Sequence, residues 1–264
     1  MLFRSWGIES SFGANQGERP VVRSLATLAA TVARRASFWR GELIAALRLI
    51  DRGHAPAEGW RGSWAGASGH TQFMPSTLLR HGVDFDGDGR IDLWGDPVDA
   101  LASAATYLKT SGWATGEPPA TSVSLAETFD LALAQPGEQR TRVEWEALGV
   151  RFGDDRVLPT HRGAIQLPAG HKGPAFFVTA SFRAILRYNA AVSYALAVAL
   201  LADRIAGRVP AELSWPADDR PLSRAEREEL QKLLIAAGQD VGAVDGILGM
   251  QTRAAIRTIQ RGMG

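Results

Sequence analysis

Apolar residues recur at helical spacing along most of the chain, and the places where that period fails mark changes of architecture. Phe3, Trp6, Ile8 and Phe12 form a stripe near helical spacing and Gly13 predicts a stop, so Glu9 is expected close to the C-terminal end of a short helix. Residues 21 to 52 also pattern as helix. Leu25, Leu28, Ala29 and Val32 share one face, Leu43, Ala46, Leu47 and Ile50 another, and Gly53 closes the run. Residues 59 to 69 are so rich in glycine, serine and alanine that their backbone is expected to come close to another helix or to a ligand. Pro75 suits the start of a further helix, and Leu101, Ala104, Ala105 and Leu108 pattern another over 99–109.

From 114 to 173 glycine and proline punctuate short segments, among them 123–125 and 142–145, which predict small strands and loops. Helical patterning resumes over 174–205. The apolar run 190–202 is interrupted by Ser193 and closed by Asp203 and Arg204; it is too short to span a bilayer and predicts a buried core helix. Residues 207–221, with Pro210, Pro216, Pro221, Asp218 and Asp219, have the composition of a linker. After it, Ser223 to Glu226 form a capping box opening a helix with Leu230, Leu233 and Leu234 inward. A turn at 245–249 leads to a last helix with Ala255, Ile256 and Ile259 inward. The expected organisation is a domain over 1–206 containing the strand and loop region 114–173, a linker, and a small domain over 222–264.

At 264 residues, 45% hydrophobic and 22% charged, the chain can bury a core. Its 29 basic and 28 acidic residues leave a net charge of +1, which gives no electrostatic reason to expect nucleic acid. No cysteine is present, so disulfides and thiolate chemistry are excluded. The first residues lack the basic region, apolar core and cleavage site of a signal peptide.

The sharpest chemical signal is 84–92. Asp84, Asp86 and Asp88 alternate, Gly89 is sixth and Ile91 eighth, as in a calcium loop of the EF-hand type, with the Arg90 carbonyl at the seventh position. The twelfth position is Gly95 where a bidentate glutamate is usual, so Asp96 or Asp99 has to close the shell. Glu9 is the second signal. The negative end of a helix dipole and aromatic neighbours both favour a neutral acid suited to general acid catalysis, the alternative being a surface glutamate on an amphipathic helix. Tyr188 and Asn189, heading an apolar helix, suit a sugar or a buried hydroxyl tied to backbone. The five histidines show no metal-ligand spacing, and no phosphate loop or Ser-His-Asp order is present.

Taken in order, Gly7-Ile8-Glu9-Ser10-Ser11-Phe12-Gly13, Gly62-Ser63-Trp64-Ala65-Gly66-Ala67, Gln72-Phe73-Met74-Pro75-Ser76, the Asp84 loop, Gly173 to Phe177 and Tyr188-Asn189 resemble the lytic murein transglycosylases of the B type over residues 3–209. Residues 222–264 resemble a peptidoglycan-binding domain of the small three-helix type. The resemblance implies a mainly α (α+β) fold: a lysozyme-like helical core, a small strand-containing insertion and the C-terminal domain. It implies cleavage of the β-1,4 bond between N-acetylmuramic acid and N-acetylglucosamine with formation of a 1,6-anhydro ring. Glu9 matches the single catalytic acid, which accounts for the lack of a partner carboxylate. Ser63, Gln72, Tyr107, Tyr188, Asn189 and Tyr194 match cleft residues, and Arg34 and Arg35 an arginine pair facing acidic groups of the substrate. Asp84, Asp86, Asp88, the Arg90 carbonyl and Asp99 match metal ligands. The expectations are therefore no cofactor for the chemistry, a structural calcium or sodium ion in the loop, peptidoglycan strands as partner, a monomer, and the periplasm. Against the family's pattern Ser68, His70 and Ala180 are departures, and the chain starts almost on the catalytic helix and ends early in its last one. A truncated homologue that binds glycan without turnover, and a lysozyme-like hydrolase, are the alternatives.

Overall fold

The computed structural model describes residues 2–208, 213–218 and 220–262; Pro210 and Asp219 of the expected linker, and the terminal Gly264, lie outside them. Two units are distinguished. One comprises Met1–Thr121, Arg156–His161 and Val178–Ala211, the other Ser122–Asp155, Arg162–Phe177 and Glu212–Gly264.

In the first unit, α1 (Leu2–Ser10) ends where Ser11 and Phe12 turn left-handed, with φ of 51° and 60°, ahead of Gly13. The expected apolar stripe does not face inward. Phe3 is 65% and Phe12 60% exposed, and the buried positions are Ser5 and Ser10. Small hydroxyl residues there let neighbouring backbone approach: Ser10 Oγ donates to the His70 carbonyl at 2.7 Å. The run 21–52 is two helices, α2 (Val21–Thr31) and α3 (Ala36–Asp51), broken at a turn where Arg35 has a φ of 64°. Flanking strands β1 (Arg19–Pro20) and β2 (Arg61–Gly62) pair antiparallel.

The small-residue stretch comes close to its own turn and to a helix. A Cβ on Gly62 would lie 2.4 Å from the Ala67 carbonyl oxygen, and one on Gly66 would lie 2.7 Å from Leu25 of α2. α4 (Pro75–His81) begins at the expected proline. The buried Glu42 of α3 caps it, accepting from Ser76 N at 2.9 Å and Ser76 Oγ at 2.6 Å. α5 (Pro97–Thr110) starts with Asp96 accepting from Val98 N. Val21, Leu25, Trp39, Leu49, Phe73, Leu78 and Leu93 share the core beneath these helices. α7 (Ala180–Tyr188) and α8 (Val192–Ile205) complete the unit, and α1 packs on α5 and α8.

The second unit carries a five-stranded sheet. Its strands are β3 (Ala120–Leu125), β4 (Arg140–Thr141), β5 (Val150–Phe152), β6 (Arg162–Gln166) and β7 (Ala175–Val178), ordered β4-β6-β7-β3-β5. Two expectations are corrected here. Residues 142–145 are not a strand but lie in α6 (Arg142–Ala147), because Thr141 and Glu144 exchange side-chain-to-backbone bonds as a capping box and Trp145 is buried. Residues 175–178 are not helical. Ala-Phe-Phe-Val is buried throughout and forms the middle strand, where both faces are covered and alternation is lost. Towards the C-terminus, α9 (Arg224–Ala236) opens on the expected Ser223–Glu226 capping box and α10 (Met250–Gly262) follows. Two helices are thus present among the described residues of a segment expected to hold three. Between them the buried Gln231 organises the turn: its Oε1 accepts from Asp245 N at 3.1 Å and Gly246 N at 2.8 Å.

Candidate active site

Every candidate residue falls in the first unit. Glu9 is half-buried on the last turn of α1. Burial raises its pKa above the ordinary carboxylate value, and the neighbouring Tyr194 hydroxyl partly opposes that rise. Tyr194, in the first turn of α8, has a buried hydroxyl that makes no hydrogen bond of ordinary geometry among the described residues. It is nonetheless close enough to Glu9 and Ser5 for them to affect its titration. Burial pushes it up most, the carboxylate adds to the rise, and Ser5 opposes it.

Tyr188, closing α7, donates its hydroxyl to the Thr71 carbonyl. Burial raises its pKa well above the phenol value, and the charges of Glu9 and Tyr194 add to that. Its ring meets Tyr107 edge-on at 5.4 Å, and Tyr107 in turn donates to the Arg187 carbonyl at 2.6 Å. Asn189 Oδ1 accepts from Ala191 N at 3.1 Å, which fixes the corner between α7 and α8. The acid on α1 is therefore brought to Tyr188 and Tyr194 of the consecutive helices α7 and α8, which lie far from it in sequence.

The loop after β2 supplies the next residues. Ser63 Oγ accepts from Ala65 N and Ala67 N, holding a turn whose Trp64 is 68% exposed. Gln72 has a φ of 48°, a costly conformation for a non-glycine residue. Its Nε2 donates to the Gln16 and Gly69 carbonyls at 3.1 and 2.9 Å, so the amide oxygen is the part of the side chain turned to other partners. Arg34 and Arg35 lie exposed in the α2–α3 turn, and the Arg35 guanidinium stacks 4.2 Å over Phe38. That places the pair on a different element from the α1, α7 and α8 surroundings of Glu9.

Sequence reasoning missed the supports of this site. Ser5 lies four residues before Glu9 and so shares its helix face, a signal the spacing contained. Trp6 Nε1 donates to His70 Nδ1 at 3.0 Å, and His70 Nε2 pairs with the Gly95 carbonyl at 2.8 Å. No sequence spacing announces either contact.

The acidic loop places one oxygen each of Asp84, Asp86 and Asp99 within 4.8 Å of one another. Asp84 accepts from Gly87 N and Gly89 N at 2.8 and 2.9 Å. Asp99, 3% exposed, accepts from Phe85 N at 2.8 Å and Asp92 N at 3.0 Å and so joins both limbs of the loop. Asp96 caps α5 instead, so Asp99 is the residue that closes the loop. Asp88 stands outside the trio and accepts from Arg90 N at 2.8 Å. The Asp88 backbone N–H lowers the Asp86 pKa, but residual desolvation and the charges of Asp88 and Asp99 leave it raised. Converging oxygens whose charges repel suit a hard cation of the calcium type.

The geometry is that of a half-buried acid set beside tyrosines in a helical unit. Residues 1–203 match the family model "Transglycosylase SLT domain", and residues 223–264 match one described as "Putative peptidoglycan binding domain". Membrane-bound lytic murein transglycosylase B of Escherichia coli (strain K12) is 34% identical over 203 residues, 76% of this chain and 55% of that protein. SltB3 from Pseudomonas aeruginosa, solved in complex with NAG-anhNAM-pentapeptide, is 47% identical with a TM-score of 0.90, covering 100% of this chain and 71% of that one. Escherichia coli Slt35, solved in complex with calcium, is 31% identical with a TM-score of 0.67 over 78% of this chain and 65% of that one. The chain belongs to the transglycosylase SLT domain family. Its fold is the mainly α, lysozyme-like one, with the small sheet and a short helical C-terminal segment. It spans 55% of the length of the curated relative it matches.

Proposed function

We propose that this chain is a peptidoglycan lytic transglycosylase that uses Glu9 as its one acid and base. The observation that carries the reading is a half-buried carboxyl of raised pKa beside two tyrosines, with no second carboxylate entering its electrostatics among the described residues. Glu9 gives its proton to the glycosidic oxygen as the bond to C1 of N-acetylmuramic acid breaks. The C6 hydroxyl of the same sugar then closes on C1 and returns its proton to Glu9. No water is consumed, which removes the need for a second carboxylate to activate one. Tyr194, with its hydroxyl beside the acid, and Asn189, Gln72 and Ser63 hold the sugar; Tyr188 and Tyr107 form the wall behind it. Arg34 and Arg35 meet acidic groups farther along the strand.

In the same reading Asp84, Asp86 and Asp99 hold a calcium ion, with Asp88 and the Arg90 carbonyl completing its shell. The ion serves the loop's structure and supplies no chemistry. The solved calcium complex of the Escherichia coli relative supports this assignment. Residues 222–264 bind the wall polymer, and the periplasm follows from where that polymer lies. Mass spectrometry of digested peptidoglycan tests the reading. Anhydromuramic ends with this chain and none with Glu9→Gln are expected. Reducing ends would mark a hydrolase, and intact glycan with the protein still pelleting on it would mark a binder.

A further inference from the structure

His70 is a buried polar side chain of the first unit, 6% exposed, and takes no part in the proton transfers above. Both of its ring nitrogens are engaged. Trp6 Nε1 is an indole N–H and can only donate, so His70 Nδ1 accepts and the ring proton sits on Nε2, which donates to the Gly95 carbonyl. Its backbone is tied at the same two places: the carbonyl accepts from Ser10 Oγ at 2.7 Å, and the N–H donates to the Leu93 carbonyl at 2.8 Å. The ring meets the Trp6 indole edge-on at 5.4 Å, and a Cβ on Gly13 would lie 2.1 Å from the imidazole. Trp6 and Ser10 flank Glu9 on α1, and Gly95 and Leu93 end the acidic loop. One side chain thus links the acid's helix to that loop.

We propose that His70 is a positioning residue that registers α1, and with it the Glu9 carboxyl, against the end of the 84–99 loop. The proposal rests on Glu9 being the working acid. Among the described residues, the other hydrogen bond between this end of α1 and the end of the loop comes from Gln16, which acts from beyond the helix and donates to the Trp94 carbonyl at 3.0 Å. A shift of about 1 Å in a catalytic group costs on the order of 100-fold in rate without touching ground-state binding.

The test compares the full chain with His70→Phe, which keeps an aromatic ring and loses both bonds, and His70→Gln, whose amide offers one acceptor and one donor. Three quantities are read: kcat and KM for release of anhydromuropeptides, pelleting on insoluble peptidoglycan, and hydrogen exchange of amides 5–13. His70→Phe is expected to lower kcat about 10- to 100-fold with KM and pelleting within about twofold. It should also speed exchange over 5–13, with His70→Gln recovering most of both effects. Unchanged exchange over 5–13 in His70→Phe overturns the link, as does an equal loss in both variants. If wild type releases no anhydro ends, the activity reading falls, and the exchange comparison still decides whether His70 registers α1.

Discussion

A carboxyl group that must donate a proton near neutrality has to be kept partly out of water, and Glu9 is kept there by Tyr188, Tyr194 and its own helix turn. Folding raises its pKa, so the folded chain holds that proton more tightly than the unfolded one. The associated stability is present below the ordinary carboxylate pKa and is lost as pH rises through the folded value. Glu9→Gln removes the penalty. Its Tm is expected to match that of wild type below about pH 4 and to exceed it at neutral pH, in a series of thermal melts, while turnover is abolished. Tyr194→Phe gives a complementary split. Losing a buried hydroxyl that makes no hydrogen bond of ordinary geometry among the described residues should change stability by no more than about 1 kcal/mol. Loss of a donor beside the acid should slow fragment release about tenfold or more in a steady-state assay. The position of Glu9 near a helix end was readable from spacing and Gly13. Its surroundings were not, because Phe3, Ile8 and Phe12 of the apolar stripe are exposed, Trp6 alone turns to His70, and the buried positions of α1 are serines.

At the scale of elements, local signals were read where they were chemically sharp. Pro75 opens α4, Ser223 with Glu226 opens α9, and two of the alternating aspartates, Asp84 and Asp86, converge with Asp99. Two errors had different causes: α6 rests on a Thr141–Glu144 capping box that the sequence contained and the glycine and proline punctuation obscured, whereas β7 is a uniformly apolar strand indistinguishable by period from a buried helix. The loop shows how unequal its acids are. Asp99 accepts two backbone N–H bonds at a buried position, each worth about 1.5–3 kcal/mol to a charged group. Asp99→Ala is therefore expected to cost about 3 kcal/mol in chemical denaturation and to erase any rise in Tm on adding calcium. Asp88→Ala removes one bond on the exposed side and should cost under about 1 kcal/mol while retaining part of the calcium response.

For the molecule as a whole, the site residues and the segment 223–264 fall in different units, so the proposed cleavage and the proposed attachment are separable by experiment. Removing 223–264 is expected to leave turnover of short soluble glycan fragments within about twofold and to weaken sedimentation with whole sacculi about tenfold or more, since a second tethered site multiplies apparent affinity without new contacts in the first. The sheet bears on something else, the order in which the chain is made. Its middle strand, Ala175–Val178, is the last of the five to be synthesised, and β3 and β6 sit beside it. Until residue 178 has left the ribosome, both neighbours present unpaired backbone and apolar side chains with nothing between them. Translation is thus the interval of greatest exposure for this protein, and a nascent chain halted before residue 175 is the form that chaperones should bind most strongly.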